Sequence, residues 1–278
     1  RLADNPALTH ALAHALASGR PVVPVYIHDE GGPVGRAGAA SLWWLDGSLR
    51  ALAADLAGRG APLVLRRGNA EAELCRLIAQ TGAETVFLNR LFEPEAWTRD
   101  ADIAHGLKDD GVVCHGFNGS LLARPGAVLT GSGGPYKVFT PFLKALLAAA
   151  GPPPPTPAPE VVPGVPGLAS DSLDDWALRP TRPDWAAGFV GTPGEAGAAF
   201  VAGGLRTYSR DRDIPAAPAT SRLSPHLHFG ELNPWRAVAA ARAAAADGQV
   251  PGREADKFIA ELGWRDFSAH LLHQFPAM

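Results

Sequence analysis

Val22-Val23-Pro24-Val25-Tyr26-Ile27 is a short β-branched run, and Leu63-Val64-Leu65, Thr85-Val86-Phe87-Leu88 and Val112-Val113 repeat its character along the first half of the chain. Runs of this length and composition read as strands. The stretches between them, Ala39 to Ala57, Ala70 to Thr81 and Glu95 to Lys108, together with Pro6 to Ser18 ahead of the first run, predict helices, each bounded by Gly, Pro or Asn. Alternation on this scale predicts an α/β domain with a doubly wound parallel sheet, whose ligand crevice lies beyond the carboxyl ends of its strands. No G-x-G-x-x-G follows any strand, so a standard dinucleotide grip has no support. Asp4-Asn5-Pro6 forms a good helix entrance with no strand ahead of it, so the first strand of the alternation is expected to be missing.

Beyond this half the composition changes. Gly151 to Pro166 carries Pro152-Pro153-Pro154-Pro155 and further Pro-Ala and Pro-Gly pairs, which exclude helix and central strand and predict a semi-rigid, extended linker. From Gly194 the pattern is helical, over Glu195 to Leu205, Asn233 to Ala246 and Arg253 to His273, with no convincing strand. The expected organisation is an α/β domain over 1–130, an interdomain linker over 131–185 and an all-α domain over 186–278 that looks truncated.

With 278 residues, 46% of them hydrophobic and 19% charged, the chain can bury a core of enzyme size, and its 31 glycines and 26 prolines argue against a coiled coil. No apolar run reaches membrane-span length and no leader pattern opens the chain, so no membrane association is expected. Cys75 and Cys114 stand far apart, which predicts neither a zinc site nor a disulfide framework and fits a reducing cytoplasm. The net charge of −3 means that any nucleic-acid role needs a local basic surface. The nine histidines include His226/His228 and His270/His273, but no cluster of acids accompanies them, and no metal site is expected.

Three stretches could carry chemistry. Thr220-Ser221-Arg222-Leu223-Ser224-Pro225 sets three hydroxyls and a guanidinium before a proline-opened helix, which reads either as an anion site suited to phosphate or as an ordinary N-cap beside an exposed arginine. Arg206, Tyr208, Arg210 and Arg212 interleave cations with an aromatic ring, while Asp211 and Asp213 offset part of the charge. They read as a track for a nucleic-acid backbone, with Tyr208 alternatively lying along an aromatic cofactor, or as a solvated charged turn. On the last helix Glu261, Trp264, Arg265 and Ser268 fall at i, i+3, i+4 and i+7, while Phe258, Ile259 and Leu262 can bury another side. That mixed face suits a cavity or ligand, or else is a core-edge indole beside an exposed Glu/Arg pair.

Taken together, these motifs resemble the DNA photolyase and cryptochrome family, in the manner of a bacterial cyclobutane pyrimidine dimer photolyase. The resemblance runs in the family's order along essentially the whole chain. Arg1-Leu2-Ala3-Asp4-Asn5-Pro6-Ala7-Leu8 looks like the end of the opening signature. Thr130-Gly131 and Pro135-Tyr136-Lys137-Val138-Phe139-Thr140-Pro141-Phe142 look like the segment leaving the α/β domain. Tyr208 with Arg212, Thr220 to Pro225 with Phe229-Gly230-Glu231-Leu232, and Glu261-Leu262-Gly263-Trp264-Arg265-Asp266-Phe267 resemble the flavin-domain motifs.

The resemblance implies an N-terminal antenna domain, a surface linker and a helical domain holding FAD. It further implies a deoxyribodipyrimidine photo-lyase, a carbon–carbon lyase that repairs cyclobutane dimers in DNA by electron transfer from photoexcited reduced FAD under blue light. By motif position, Tyr208, Thr220, Ser221, Arg222, Leu223, Ser224, Phe258, Glu261, Arg265 and Ser268 would bind the cofactor. Arg212, Glu261, Trp264 and Arg265 would bind damaged DNA, with Glu261 and Trp264 the catalytic pair that hydrogen-bonds and stacks on a flipped dimer. A second antenna chromophore of unspecified identity is implied as well, and a monomer is expected. The family continues through further helices beyond Pro276, so the sequence is expected to be a fragment, or the ordered part, of a longer protein. Two other readings stay open: a cryptochrome-type flavin photoreceptor without repair activity, and a nucleotide-binding α/β protein with no photochemistry.

Overall fold

The computed structural model describes residues 1–32, 37–149, 151–180 and 193–277. The chain forms two compact units, Arg1–Gly119 with Pro155–Phe189, and Ser120–Pro154 with Val190–Met278.

In the first unit, strands β1 (Val25–His28), β2 (Val64–Arg67), β3 (Thr85–Asn89) and β4 (Val113–Phe117) alternate with helices α1 (Pro6–Ser18), α2 (Ala39–Ala57), α3 (Ala70–Thr81) and α4 (Pro94–Asp109). Local chemistry sets the helix ends. Asn5 and Asn69 accept the amides of Leu8 and Ala72, and Gly19 and Gly82 end α1 and α3 in the left-handed conformation. Parallel pairing needs a helical crossover, and α2 and α4 provide it: β1 pairs with β2 (Val25 opposite Val64), and β3 with β4 (Thr85 opposite Val113). The parallel sheet is therefore present as two ladders, and among the described residues β1 and β3 each pair with one strand only. Asn89, at the end of β3, donates to Asn5 Oδ1 at 2.8 Å and so ties the start of α1 to that strand.

One core of this unit gathers Leu49, Leu65, Leu173, Trp176 and Leu178, with Tyr26 packed against it. The Trp176 ring stacks on His28 at 5.2 Å, and its indole N–H donates to Asp171. Three of these five side chains thus come from beyond the proline run, which corrects the expectation of a linker over 131–185. The run forms neither helix nor strand, and peptide groups from Thr156 onward are hydrogen-bonded within the first unit: Thr156 exchanges bonds with Asp4, the Pro159 carbonyl accepts from Arg59, and the Pro163 carbonyl accepts from the Val22 amide. Gly164 passes so close to the Ala61 backbone that a Cβ would lie 2.4 Å from Ala61 Cα. The part from 120 to 154 belongs instead to the second unit and contains helix α5 (Phe139–Ala149). An apolar stripe on α5 buries Phe142 and Leu146, so packing overrides the expectation drawn from the neighbouring prolines. The expected boundary at 185/186 lies outside the described residues.

The second unit adds α6 (Pro193–Ala202), α7 (Tyr208–Asp211), α8 (Ser224–His228), α9 (Pro234–Ala246) and α10 (Gly252–Gln274). Leu146, Leu205, Val238, Trp235, Phe258 and Phe267 are among its buried core. Each such side chain contributes about 1.5–3 kcal/mol through loss of apolar surface from water. Trp235 is anchored by its indole N–H, which donates to the Leu122 carbonyl at 3.0 Å. Helices α5 and α10 approach closely at Gly263, where an added Cβ would lie 2.4 Å from Leu143 Cδ1. Among the described residues, no helix is long and apolar enough to cross a membrane.

Candidate functional site

Five of the sequence-predicted residues, Phe258, Glu261, Trp264, Arg265 and Ser268, sit along α10, and their side chains have different fates. Glu261 is about three-quarters buried and ion-paired to Arg212 and, one turn back on its own helix, to Lys257 at 3.1 Å. Partial burial opposes ionisation, but the two cations outweigh it and hold the carboxyl below its ordinary range. Trp264 remains 43% exposed, a large value for an indole. One of its faces is covered by Phe139 from the start of α5, with ring centroids 3.7 Å apart and planes 9° from parallel.

Arg265 is directed inward, its guanidinium donating to the carbonyls of Ser120 and Leu227. Those bonds hold α8 and the 120–123 segment against α10. Ser268 is exposed, and its hydroxyl donates to the Trp264 carbonyl at 2.9 Å. The fold thus brings Glu261 together with Arg212 near an open indole, while Arg265 and Ser268 satisfy backbone carbonyls.

Arg212 reaches Glu261 from just beyond the C-terminus of α7. Its guanidinium lies over the Tyr208 ring at 5.3 Å and also pairs with Asp213 at 3.2 Å. Arg210 is matched to Asp211 at 2.6 Å, so the expected basic stripe is largely neutralised by its neighbours. Tyr208 and Phe258 are both buried, edge to face at 5.6 Å, with Phe200 as a third ring. Burial raises the Tyr208 hydroxyl above its ordinary value, with Arg212 partly countering. A further carboxylate fixes this region: Glu254, buried on the first turn of α10, accepts the Ser209 amide at 2.6 Å and its hydroxyl at 2.8 Å.

The 220–224 segment is open to solvent. Thr220, Arg222 and Ser224 are exposed, Ser221 is half-buried with its Oγ accepting the Leu223 amide, and Leu223 is buried in the core. Arg222 adopts the left-handed conformation at φ 53°, unusual for a residue with a Cβ. Two exposed hydroxyls beside a guanidinium are a donor set that fits the phosphates of FAD. Tyr208 and Phe258, packed into each other, fit a supporting wall better than an open ring-stacking face.

Spacing could have revealed Lys257, four residues before Glu261. Phe139 was already visible within the Pro135 to Phe142 segment, but nothing local tied it to Trp264, and Glu254 carried no signal. In the first unit a cleft of about 530 Å³ opens beyond the carboxyl ends of β1 and β2, lined by Asp29, Asn69, Glu71, Thr98 and Arg99 among others. It occupies the crevice position expected of this topology. Among the described residues, no group of three or more His, Cys, Asp or Glu is placed to hold a metal ion.

Residues 1–160 match the family model described as DNA photolyase. A deoxyribodipyrimidine photo-lyase of Agrobacterium fabrum is 42% identical across the whole chain, which covers 58% of that relative. A crystal structure of a bacterial class III photolyase from Agrobacterium tumefaciens superposes with a TM-score of 0.88 at 38% identity, covering 99% of this chain and 57% of that one. Cryptochrome-1 of Arabidopsis thaliana is 31% identical over 99% of this chain and 42% of its own length. The chain belongs to the DNA photolyase and cryptochrome family. It spans somewhat more than half the length of the photo-lyase relatives it matches.

Proposed function

We propose that this chain serves the light-driven repair of cyclobutane pyrimidine dimers in DNA, as part of a flavin-dependent photo-lyase. The observation that carries the reading is the pairing, on α10, of an exposed Trp264 face with the ionised Glu261, beside Arg212. An indole held flat by Phe139 offers its other face to an extrahelical pyrimidine pair, which is less well stacked than intact bases and so cheaper to extrude. Glu261, as a carboxylate, accepts hydrogen bonds from the pyrimidine N3–H groups. Arg212 supplies a cation for a flanking phosphate.

Thr220, Arg222 and Ser224 would hold the FAD phosphates, with Tyr208 and Phe258 supporting the wall of the site. When bound and reduced, FAD supplies the light-excited electron for ring opening. The cleft beside Asp29 and Asn69 is the proposed seat of a second, light-harvesting chromophore.

The 31% identity to Cryptochrome-1 favours a second reading, a flavin photoreceptor without repair activity. A single experiment separates the two. FAD-loaded protein is illuminated with blue light in the presence of reductant and an oligonucleotide carrying one thymine dimer, and restored thymines are counted chromatographically. Light-dependent restoration, reduced per absorbed photon in Glu261→Ala, supports repair, whereas a photoreducible flavin with no restoration supports the photoreceptor.

A further inference from the structure

We infer that Glu261 sets specificity by sequestration: it keeps Arg212 and Lys257 from the phosphates of undamaged DNA and yields them where a damaged base pair takes over its carboxylate. The inference rests on the reading of this face as the dimer site, and adds to it how intact DNA is refused.

The argument begins with the charge arrangement. Arg212 comes from the end of α7 and Lys257 from α10, and both converge on the Glu261 carboxylate. Arg212 is itself about three-quarters buried, with its guanidinium over Tyr208 and its other ionic partner, Asp213, far more exposed. With Nη1 on Glu261 and Nε on Asp213, Arg212 offers a DNA phosphate its undivided charge only by leaving Glu261.

On undamaged duplex that exchange trades one anion for another and leaves a largely buried carboxylate with Lys257 alone, or with neither cation if Lys257 follows, which is costly. On a dimer, the extruded pyrimidines resting on Trp264 bring N–H donors to the same carboxylate, so Glu261 remains satisfied while Arg212 turns outward. The net charge of the chain, −3, adds no general attraction for phosphate, so release of these two cations weighs heavily in the comparison.

The test compares FAD-loaded full-length protein and its variants by fluorescence anisotropy, on one duplex with and without a single thymine dimer, across a salt series. Glu261→Gln, which keeps the shape and removes the charge, is expected to tighten binding to undamaged duplex about two- to tenfold and to steepen its salt dependence by roughly one to two phosphate contacts. Preference for the dimer duplex falls correspondingly. In an Arg212→Gln/Lys257→Gln background the same substitution is expected to leave undamaged binding unchanged, because no sequestered cation remains to be released.

Asp256→Asn, on an exposed turn of the same helix, controls for loss of one negative charge and is expected to have little effect. Unchanged undamaged binding in Glu261→Gln overturns the inference. So does a gain that persists without Arg212 and Lys257, since that is a general field effect. If the unsubstituted protein shows no preference for the dimer, the dimer-site reading fails and release by damage fails with it, while a cation-dependent gain on undamaged duplex upholds only the holding back of Arg212 and Lys257.

Discussion

Phe139 lies flat against Trp264, with ring centroids 3.7 Å apart and planes 9° from parallel, although the two residues stand on different helices. The contact gives an exposed indole a fixed plane. Phe139→Ala is expected to cost about 1–2 kcal/mol of stability, read by urea unfolding. It should also weaken binding to a dimer-bearing oligonucleotide several-fold, whereas Phe139→Tyr should keep both properties. Unchanged dimer affinity in Phe139→Ala would show that Trp264 does not depend on this stack.

Gly263 is where α5 and α10 approach closely. A methyl group there meets the end of the Leu143 side chain, 2.4 Å away. Gly263→Ala makes that flexible side-chain end move, while the better helix propensity of alanine offsets part of the cost, so a net destabilisation of about 1 kcal/mol or less is expected. Leu143→Ala, which opens the space, should make the second change nearly harmless in the double variant, as a thermal-unfolding cycle would reveal.

Asp266 is a buried carboxylate that accepts the Ala123 amide at 2.9 Å. Burial pushes its carboxyl up to about 7, with the amides of Ala123 and Leu122 and the charge of Arg265 only partly opposing it. The folded state therefore holds a proton that the unfolded state releases near its ordinary value of 3.8. The associated stability is complete below that value and is lost as pH rises through about 7. Wild type should lose on the order of 3 kcal/mol relative to Asp266→Asn across this window. Denaturant titrations of both proteins at pH 4 to 8 measure it, and parallel curves would refute it.

Glu254 behaves oppositely. The Ser209 amide, above all, holds its carboxyl below the ordinary 4.5, so its contribution is present above that value and disappears as pH falls through the lowered one. Glu254→Gln is expected to cost about 1–3 kcal/mol at neutral pH and to flatten the acid limb of the stability profile. Because Ser209 adjoins Tyr208, the same substitution should alter near-ultraviolet dichroism from the Tyr208, Phe200 and Phe258 cluster.

The first unit was legible wherever a boundary was set by local chemistry. Asn5 and Asn69 announce helix starts through their own side chains, and α1, α2 and α3 begin and end at the residues expected. On α10 the shared face of Glu261 and Trp264 followed from helical spacing alone. What occupies that face did not, because Arg212 and Phe139 are distant in sequence, and long-range charge pairing leaves no local signature. The bonds from Arg265 to the Ser120 and Leu227 carbonyls were not legible for a related reason: a guanidinium at a helix surface suits ligands and backbone carbonyls equally, and only the tertiary path of 120–123 and α8 decides. The proline run excluded helix and central strand, but nothing in it named the surface to which it is bonded.

The returning segment has a consequence for synthesis of the chain. When residue 130 has just left the ribosome, all four strands and their helices are available, yet Leu49 and Leu65 still lack Trp176 and Leu178, which close their core. The first unit is thus unable to finish when its last strand has been made. It must wait, partly uncovered, while α5 and the proline run are made, and a gene split after the fourth strand would encode a half-closed domain.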